Sequence, residues 1–451
     1  MSSRLRHPLT AVGLAALLTV PWLGLHTALG VPLSTVRTVG LSGLAVLGAS
    51  FLLAWGAETA EKDVPRAFAL AILAVLAVAP EYAVDALYAW EAGIDPGSPA
   101  SQEAANLAVA NMTGANRILI GLGWSGIALF TIYRVHRTGD EAVEKRPGFL
   151  ADRVNLDPSV SLEIFFLFAA TLFAFLVPLG AGIGAIDMFV LVGLYLVYIY
   201  AALHSPDEET EHVGVPAYLQ HQPKPRRVAT AIGLFLFSGA VILLAVEPFA
   251  HGLEELGTQV GIDPFLMIQW VAPLASESPE LIVVAVLVNK ARSTAGFNAL
   301  ISSKLNQWTL LIGTLVLVYS LSLGYYGALP LDTHQTGEIW LTAAQSLFAI
   351  AILITLTISV REALALLGLF SAQLIYSVLD VAPTLTLPVL GPVVADNLFA
   401  LYFFSVVYVV LAVVLVILRW RHVVFLVRSA RQRIELQQAG KVTSETLETE
   451  D

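Results

Sequence analysis

Long apolar runs, separated by short charged or turn-forming segments, occupy most of the chain between residues 8 and 418. A bilayer-crossing helix takes about 20 apolar residues. On that measure twelve runs stand out: 8–31, 39–57, 66–91, 104–133, 161–180, 183–203, 228–250, 264–289, 297–321, 336–358, 362–380 and 395–418. The first follows Arg4 and Arg6, so a secretory signal peptide is its competing reading. It is longer than a signal core and ends without a small-x-small cleavage site, which favours an extra transmembrane helix. The polar stretch 204–227 lies between the sixth and seventh runs and reads as a linker between two halves.

The cations fix the expected orientation. If every run crosses once, 21 of the 24 Lys and Arg residues fall on one side and Arg37 alone on the other, while Arg117 and Lys304 lie inside runs. The positive-inside rule then places both termini in the cytoplasm of a cell membrane. Five segments are expected: an extra helix over 1–38, a first half over 39–203, the linker 204–227, a second half over 228–420 and a cytoplasmic tail over 421–451. Composition agrees with a membrane span map. Of 451 residues, 57% are hydrophobic and 13% charged, about half the charged share of a soluble domain. The formal net charge of −11 excludes nucleic acid as an expected partner. Cysteine is absent, which removes disulfides and thiolate ligands. No HExxH, GxSxG or P-loop pattern occurs, so neither an enzyme nor a resident cofactor is expected.

The two halves repeat at an offset of 199 residues. Pro65, Pro80, Glu81, Val84 and Ala86 correspond without gaps to Pro264, Pro279, Glu280, Val283 and Ala285. The two copies cross in opposite directions, an inverted-topology arrangement that many secondary transporters use to build a midplane site. A proline inside a helix lacks an N–H and clashes with the carbonyl one turn back. Pro80 and Pro279 are therefore expected to kink or break their helices, although a simple packing kink is the plainer alternative. A glutamate beside each proline weighs against that alternative, because an intramembrane carboxylate is costly unless paired or ion-bound. Glu81 and Asp85 are four residues apart and Glu277 and Glu280 three apart, each pair on one helical face. Asp85 is also close enough to its helix end to be merely interfacial. The following runs are rich in amides and hydroxyls, including Asn106, Asn111, Thr113, Asn116, Ser302, Ser303, Asn306 and Gln307. Oxygen ligands without Cys or His suit hard cations such as Na⁺ or Ca²⁺. The four carboxylates total −4, and Arg117 with Lys304 would offset two if both faced the same cavity.

The segments Ala275-Ser276-Glu277-Ser278-Pro279-Glu280 and Leu76-Ala77-Val78-Ala79-Pro80-Glu81 resemble the paired α-repeat motifs of the sodium/calcium exchanger branch of the Ca²⁺:cation antiporter superfamily. Gly48-Ala49-Ser50 through Glu58 is similar to that family's opening helix, and Thr113-Gly114-Ala115-Asn116 and Ser302-Ser303-Lys304 to its Gly-Ser-Asn segments. The resemblance, to a divergent prokaryotic-type member, covers about residues 39–420. It implies an all-α, inverted-repeat transporter with ten core helices plus additional ones, exchanging Ca²⁺ or a related cation against Na⁺ or H⁺ by alternating access. It carries Glu81 and Glu280 over as the metal-binding pair, with Ser276, Glu277, Asp85, Asn111 and Ser303 completing the cation site. The chain departs from the pattern at Ala77 and Val78, which lack hydroxyls, and at Glu277, which stands where a serine is usual. Arg117 and Lys304 are possible coupling cations. Two other functions stay open: a proton-coupled monovalent cation antiporter, and a non-transporting ion-binding membrane protein on the same scaffold. The expected partners are inorganic cations and the lipid bilayer.

Overall fold

The computed structural model describes residues 7–64, 74–203, 213–381, 386–387, 391–392 and 397–424. Arg4, Arg6, Pro65, Arg66, the linker residues 204–212 and the tail from 425 onward lie outside the described residues. Among the described residues every hydropathy-derived run lies mainly on helix. Up to residue 203 the chain forms α1 (Pro8–Pro21), which precedes the first half, then α2 (Thr35–Ala60), the single turn α3 (Ala74–Ala77), α4 (Ala79–Ile94), α5 (Pro99–Ile118), α6 (Ser125–Thr138), α7 (Ser161–Ala174) and α8 (Ala185–Leu203). A short α9 (Val215–Gln220) lies within the former linker, whose last residues open α10 (Lys224–Val260). The second half continues with α11 (Ala272–Asn289), α12 (Ser293–Asn306), α13 (Ile312–Leu323), α14 (Thr333–Leu353), α15 (Val360–Val381) and α16 (Asn397–Leu418). Among the described residues ten helical segments are long and apolar enough to cross a membrane.

Local chemistry sets the helix ends. The Ser98 side chain accepts from the Ser101 N–H, with Pro99 at the first helical position of α5. Asp332 caps α14 by accepting from the Gln335 N–H at 2.7 Å. Helices α6 and α13 occupy corresponding places in the two halves, and both stop on a left-handed glycine, Gly139 (φ 66°) and Gly324 (φ 75°).

Contacts between helices are reciprocal across the halves. The two opening helices, α2 and α10, pack along each other; α4 packs on α13, and α11 packs on α5 and α6. If the third span of the chain touches the ninth, a twofold relation requires the eighth to touch the fourth. It does. The inverted repeat is thus visible in packing as well as in sequence.

Connections also agree with the crossing parity. Strands β1 (Val143–Glu144) and β2 (Arg153–Asn155) follow the fourth run, and β2 pairs antiparallel with β5 (Thr357–Ser359) at the end of the tenth. Strands β3 (Gly182–Ile183) and β4 (Leu329–Pro330) pair from two loops assigned to the opposite side. Side-chain links obey the same rule: His251 Nε2 meets Glu91 at 2.9 Å, and the Ser293 N–H donates to Asp140 at 3.1 Å.

One such link has a pH signature. The Asp63 carboxylate accepts from Arg227 Nε at 2.6 Å and Nη2 at 2.5 Å, tying the end of α2's loop to the start of α10. The Arg227 hydrogen bonds hold the Asp63 carboxyl below its ordinary value. A depressed carboxylate contributes stability above its unfolded pKa of about 3.9 and loses it as pH falls through the lower folded value. The Asp63→Asn variant should therefore melt below wild type at neutral pH, and the gap should close only under about pH 4. A Tm-against-pH series for both proteins checks this; a gap that vanishes already near pH 6 contradicts it.

Candidate functional site

The expected break at Pro80 is present. Val78 adopts φ −105° and ψ 20° between α3 and α4, and Pro80 sits in the first turn of α4. Glu81 is also in that first turn, where the helix dipole favours negative charge. At Pro279 the break does not occur: α11 runs unbroken from Ala272 to Asn289 with Pro279 inside it. The irregularity falls earlier instead, in a π-helical stretch at Met267–Val271. A proline fits inside a continuous helix when neighbouring helices and hydroxyls accommodate the freed carbonyls. The adjoining Ser278 hydroxyl donates to the Leu274 carbonyl, one residue before the Ala275 carbonyl that the proline frees.

Two further π stretches, Leu119–Trp124 after α5 and Gln307–Leu311 after α12, occupy corresponding positions in the two halves. Each directly follows the amide-rich segment of its half. A π insertion rotates the helix faces on either side of it and is common at functional sites. Sequence reasoning missed all three, since a one-residue insertion leaves hydropathy unchanged.

Glu81, Asp85 and Glu277 are 2%, 0% and 1% exposed. Glu280 is less enclosed, but its Oε2 is buried. The Ser276 hydroxyl, which donates to the Ala272 and Pro273 carbonyls, lies near Glu81, and Ser303, whose Oγ is buried without a hydrogen-bond partner among the described residues, lies near Glu280. Glu81 is also in electrostatic reach of Glu280, Asp85 and Glu277. Asn111 donates to Asp85 Oδ1 at 2.8 Å, and Gln307 donates to Glu277 Oε1 at 2.6 Å. Tyr82 donates to Asn306 Oδ1 at 2.9 Å, joining α4 of one half to α12 of the other. The structure therefore brings together Glu81, Ser276, Glu277, Glu280 and Ser303, with the Asp85–Asn111 pair one turn further along.

Several oxygens in this cluster are left over. Asp85 Oδ2, Glu277 Oε2, Glu280 Oε2, Asn111 Oδ1 and Gln307 Oε1 are buried without a hydrogen-bond partner among the described residues. A buried carboxylate in that condition has to take up a proton or a cation. Among the described residues no three Asp, Glu or His groups are drawn closely enough to hold a metal ion unaided. Any cation seated here needs amide and hydroxyl oxygens beside the carboxylates.

The two intramembrane cations have different surroundings. Lys304 Nζ donates to Asn116 Oδ1 at 2.7 Å, lies 4.2 Å from the Trp308 ring centroid and is in electrostatic reach of Glu277. Arg117 turns elsewhere. Its Nη2 pairs with Glu338 on α14 at 2.5 Å, both side chains being 1% exposed, and its guanidinium lies 4.7 Å from the Trp270 centroid. The expectation that Arg117 offsets the four carboxylates is thus corrected, because Glu338 already neutralises it. Four acidic side chains then share the site with one lysine. Sequence reasoning did not name Glu338 or Gln269. Glu338 was findable as an acid inside the 336–358 run. Gln269 is 0% exposed with both side-chain polar atoms unpartnered among the described residues. Its backbone carbonyl would lie 1.8 Å from a Cβ on Gly114, so glycine is required where α5 crosses the π stretch.

Comparisons with known proteins bear on the family and the fold. The chain matches the sodium/calcium exchanger protein family over residues 35–204 and 230–379. It is similar to the crystal structure of H⁺/Ca²⁺ exchanger CAX at 44% identity and a TM-score of 0.83, covering 95% of this chain and 99% of that one. It is also similar to the structure of native YfkE, at 13% identity, a TM-score of 0.55 and coverage of 82% and 99%, a likeness of fold alone. The sodium-calcium exchanger NCX_Mj gives 17% identity, a TM-score of 0.48 and coverage of 76% and 99%. No curated protein matches the chain. With both halves matched by one family, and with a relative of 44% identity along nearly its whole length, this multi-pass membrane protein belongs to the sodium/calcium exchanger family of cation antiporters.

Proposed function

We propose that the chain exchanges Ca²⁺ against H⁺ by alternating access, with Glu81 and Glu280 as the paired carboxylates that hold either the metal or protons. The observation that carries this reading is the buried Glu81 of one half in electrostatic reach of Glu280 of the other, beside unpartnered buried oxygens on Asp85, Glu277 and Glu280. Two adjacent carboxylates in a low-dielectric site cannot both stay ionised alone. One Ca²⁺ or two protons satisfies the pair equally, so each ion excludes the other and their fluxes are coupled. Ser276, Glu277 and Ser303 supply further oxygens, and Asp85 with Asn111 extends the path by one helical turn. The relative named as an H⁺/Ca²⁺ exchanger supports H⁺ as the coupling ion. Lys304 supports it too, as a basic side chain already placed in electrostatic reach of Glu277. The protein acts as a carrier rather than an enzyme. The cation partition favours a cell membrane location with both termini in the cytoplasm.

Reconstituted vesicles test the reading directly. An imposed pH gradient should drive Ca²⁺ uptake, with a trapped pH dye reporting proton flow in the opposite direction. A Na⁺ gradient at constant pH should drive none. Ca²⁺ uptake driven by Na⁺ alone would reassign the coupling ion, and proton-coupled Na⁺ or K⁺ flux without Ca²⁺ flux would make the protein a monovalent antiporter. No flux under any gradient would leave the non-transporting reading.

A further inference from the structure

Away from the ion path, on the side assigned to the cytoplasm, two cavities share a wall formed by Leu150 and Ala151. The larger, about 630 Å³, is lined by Lys145, Arg146, Arg361, Ser359 and Glu144. The smaller, about 330 Å³, is lined by Leu129, Ile132, Tyr133 and Val360, with Asp152 at its edge. One is basic and the other largely apolar. They lie where α6 leaves the apolar region and the β1–β2–β5 sheet begins.

The acids nearby are already engaged. Glu144 accepts from Arg146 Nε at 2.8 Å and from Arg153 Nε at 2.8 Å, and Asp152 accepts from the Arg146 backbone N–H at 3.0 Å. Arg361 directs Nε to the Phe149 carbonyl at 2.8 Å, and Lys145 is exposed with no carboxylate partner among the described residues. The cavity therefore keeps an excess of positive charge. Phe149 and Tyr133 beside it are 80% and 76% exposed, as aromatic rings commonly are at headgroup depth. Leu150, between the two chambers, is held at φ 52°. A non-glycine residue seldom adopts that conformation, and such strain persists only where its surroundings enforce it.

We propose that these adjoining cavities bind one anionic glycerophospholipid across the Leu150–Ala151 wall, its phosphate among Lys145, Arg146 and Arg361 and an acyl chain along Leu129, Ile132 and Val360. A free phosphate would use only the basic chamber and would leave the apolar one without an occupant. Basic pockets at the cytoplasmic edge of membrane helices suit anionic headgroups for the same electrostatic reason. The seat spans both halves, because Lys145 and Arg146 come from the α6–α7 connection, Ser359 from the α14–α15 connection and Arg361 from the first turn of α15. An occupant there couples the local lipid composition to the joint between the repeats. This inference does not depend on which ion is carried.

Thermal unfolding of the full chain in detergent, with added phosphatidylglycerol, phosphatidylcholine or glycerol 3-phosphate, tests it. A ligand that binds only the folded state raises Tm. Phosphatidylglycerol should raise the wild-type Tm by several degrees, and the other two should not. The Lys145→Ala/Arg146→Ala variant should lose at least half of that rise. Ala151→Phe, which fills the shared wall and leaves every charge in place, should lose it as well, so the test survives if the double variant folds poorly. Equal stabilisation by phosphatidylcholine, or a full rise in both variants, overturns the proposal. An equal rise with glycerol 3-phosphate overturns the lipid as the ligand and leaves a free-anion site.

Discussion

Replacing Glu81 or Glu280 by glutamine, one at a time, is expected to cut proton-driven Ca²⁺ flux in proteoliposomes by about ten- to a hundredfold. The magnitude follows from what each carboxylate supplies. A contact to a charged partner contributes about 1.5–3 kcal/mol, and every 1.4 kcal/mol is about tenfold in affinity. Glutamine keeps the shape and one acceptor oxygen but loses the charge and the proton, so it removes both ions from the cycle together. Folding should not suffer. In the absence of Ca²⁺ the acidic cluster repels itself, and neutralising one member relieves that repulsion. Both variants should therefore melt at or above the wild-type temperature without Ca²⁺, and should lose the Tm rise that Ca²⁺ gives the wild type. Flux retained in full by both variants would take these two residues out of the path. A variant that melts low and transports little would instead report misfolding, which is why the two measurements belong together.

The positions of those two glutamates were legible in the sequence because they break two rules at once. A carboxylate inside a long apolar run is expensive, and a proline beside it is unfavourable in a helix interior. Finding the same pair 199 residues on leaves an inverted repeat as the economical explanation, and the reciprocal packing of α4 on α13 and α11 on α5 bears it out. Crossing parity was legible for a similar reason, since cations avoid one side, and the β2–β5 and β3–β4 pairings follow it. Three things were not legible. Whether proline breaks a helix depends on its neighbours, so Pro80 lies just past a break while Pro279 sits inside a continuous helix. The π stretches change helical phase without changing composition. The partner of Arg117 lies 221 residues away on a helix outside both motifs, where no local spacing could point to it.

That pairing leads to the second large effect, expected on folding. Arg117 and Glu338 are each 1% exposed, and removing one member of a buried pair leaves the other charge uncompensated, at about 3–5 kcal/mol. Arg117→Ala should therefore lower Tm steeply and reduce the yield of monodisperse protein, and Glu338→Ala should do the same. Replacing both with apolar residues of similar volume, Arg117→Met with Glu338→Leu, should recover most of the loss, because a buried ion pair is often no better than well-packed apolar groups. Methionine at 117 also keeps a favourable contact with Trp270, whose ring the guanidinium now covers. The same double variant separates stability from transport. Arg117 directly follows Asn116, which holds Lys304, yet its own charge is spent on Glu338 rather than on the acidic cluster. If Arg117 serves only to anchor α5 to α14, the double variant should transport Ca²⁺ with a pH dependence like that of wild type. A shifted pH profile in a well-folded double variant would mean that the Arg117 charge acts on the carboxylates after all, and would return it to the charge balance of the site.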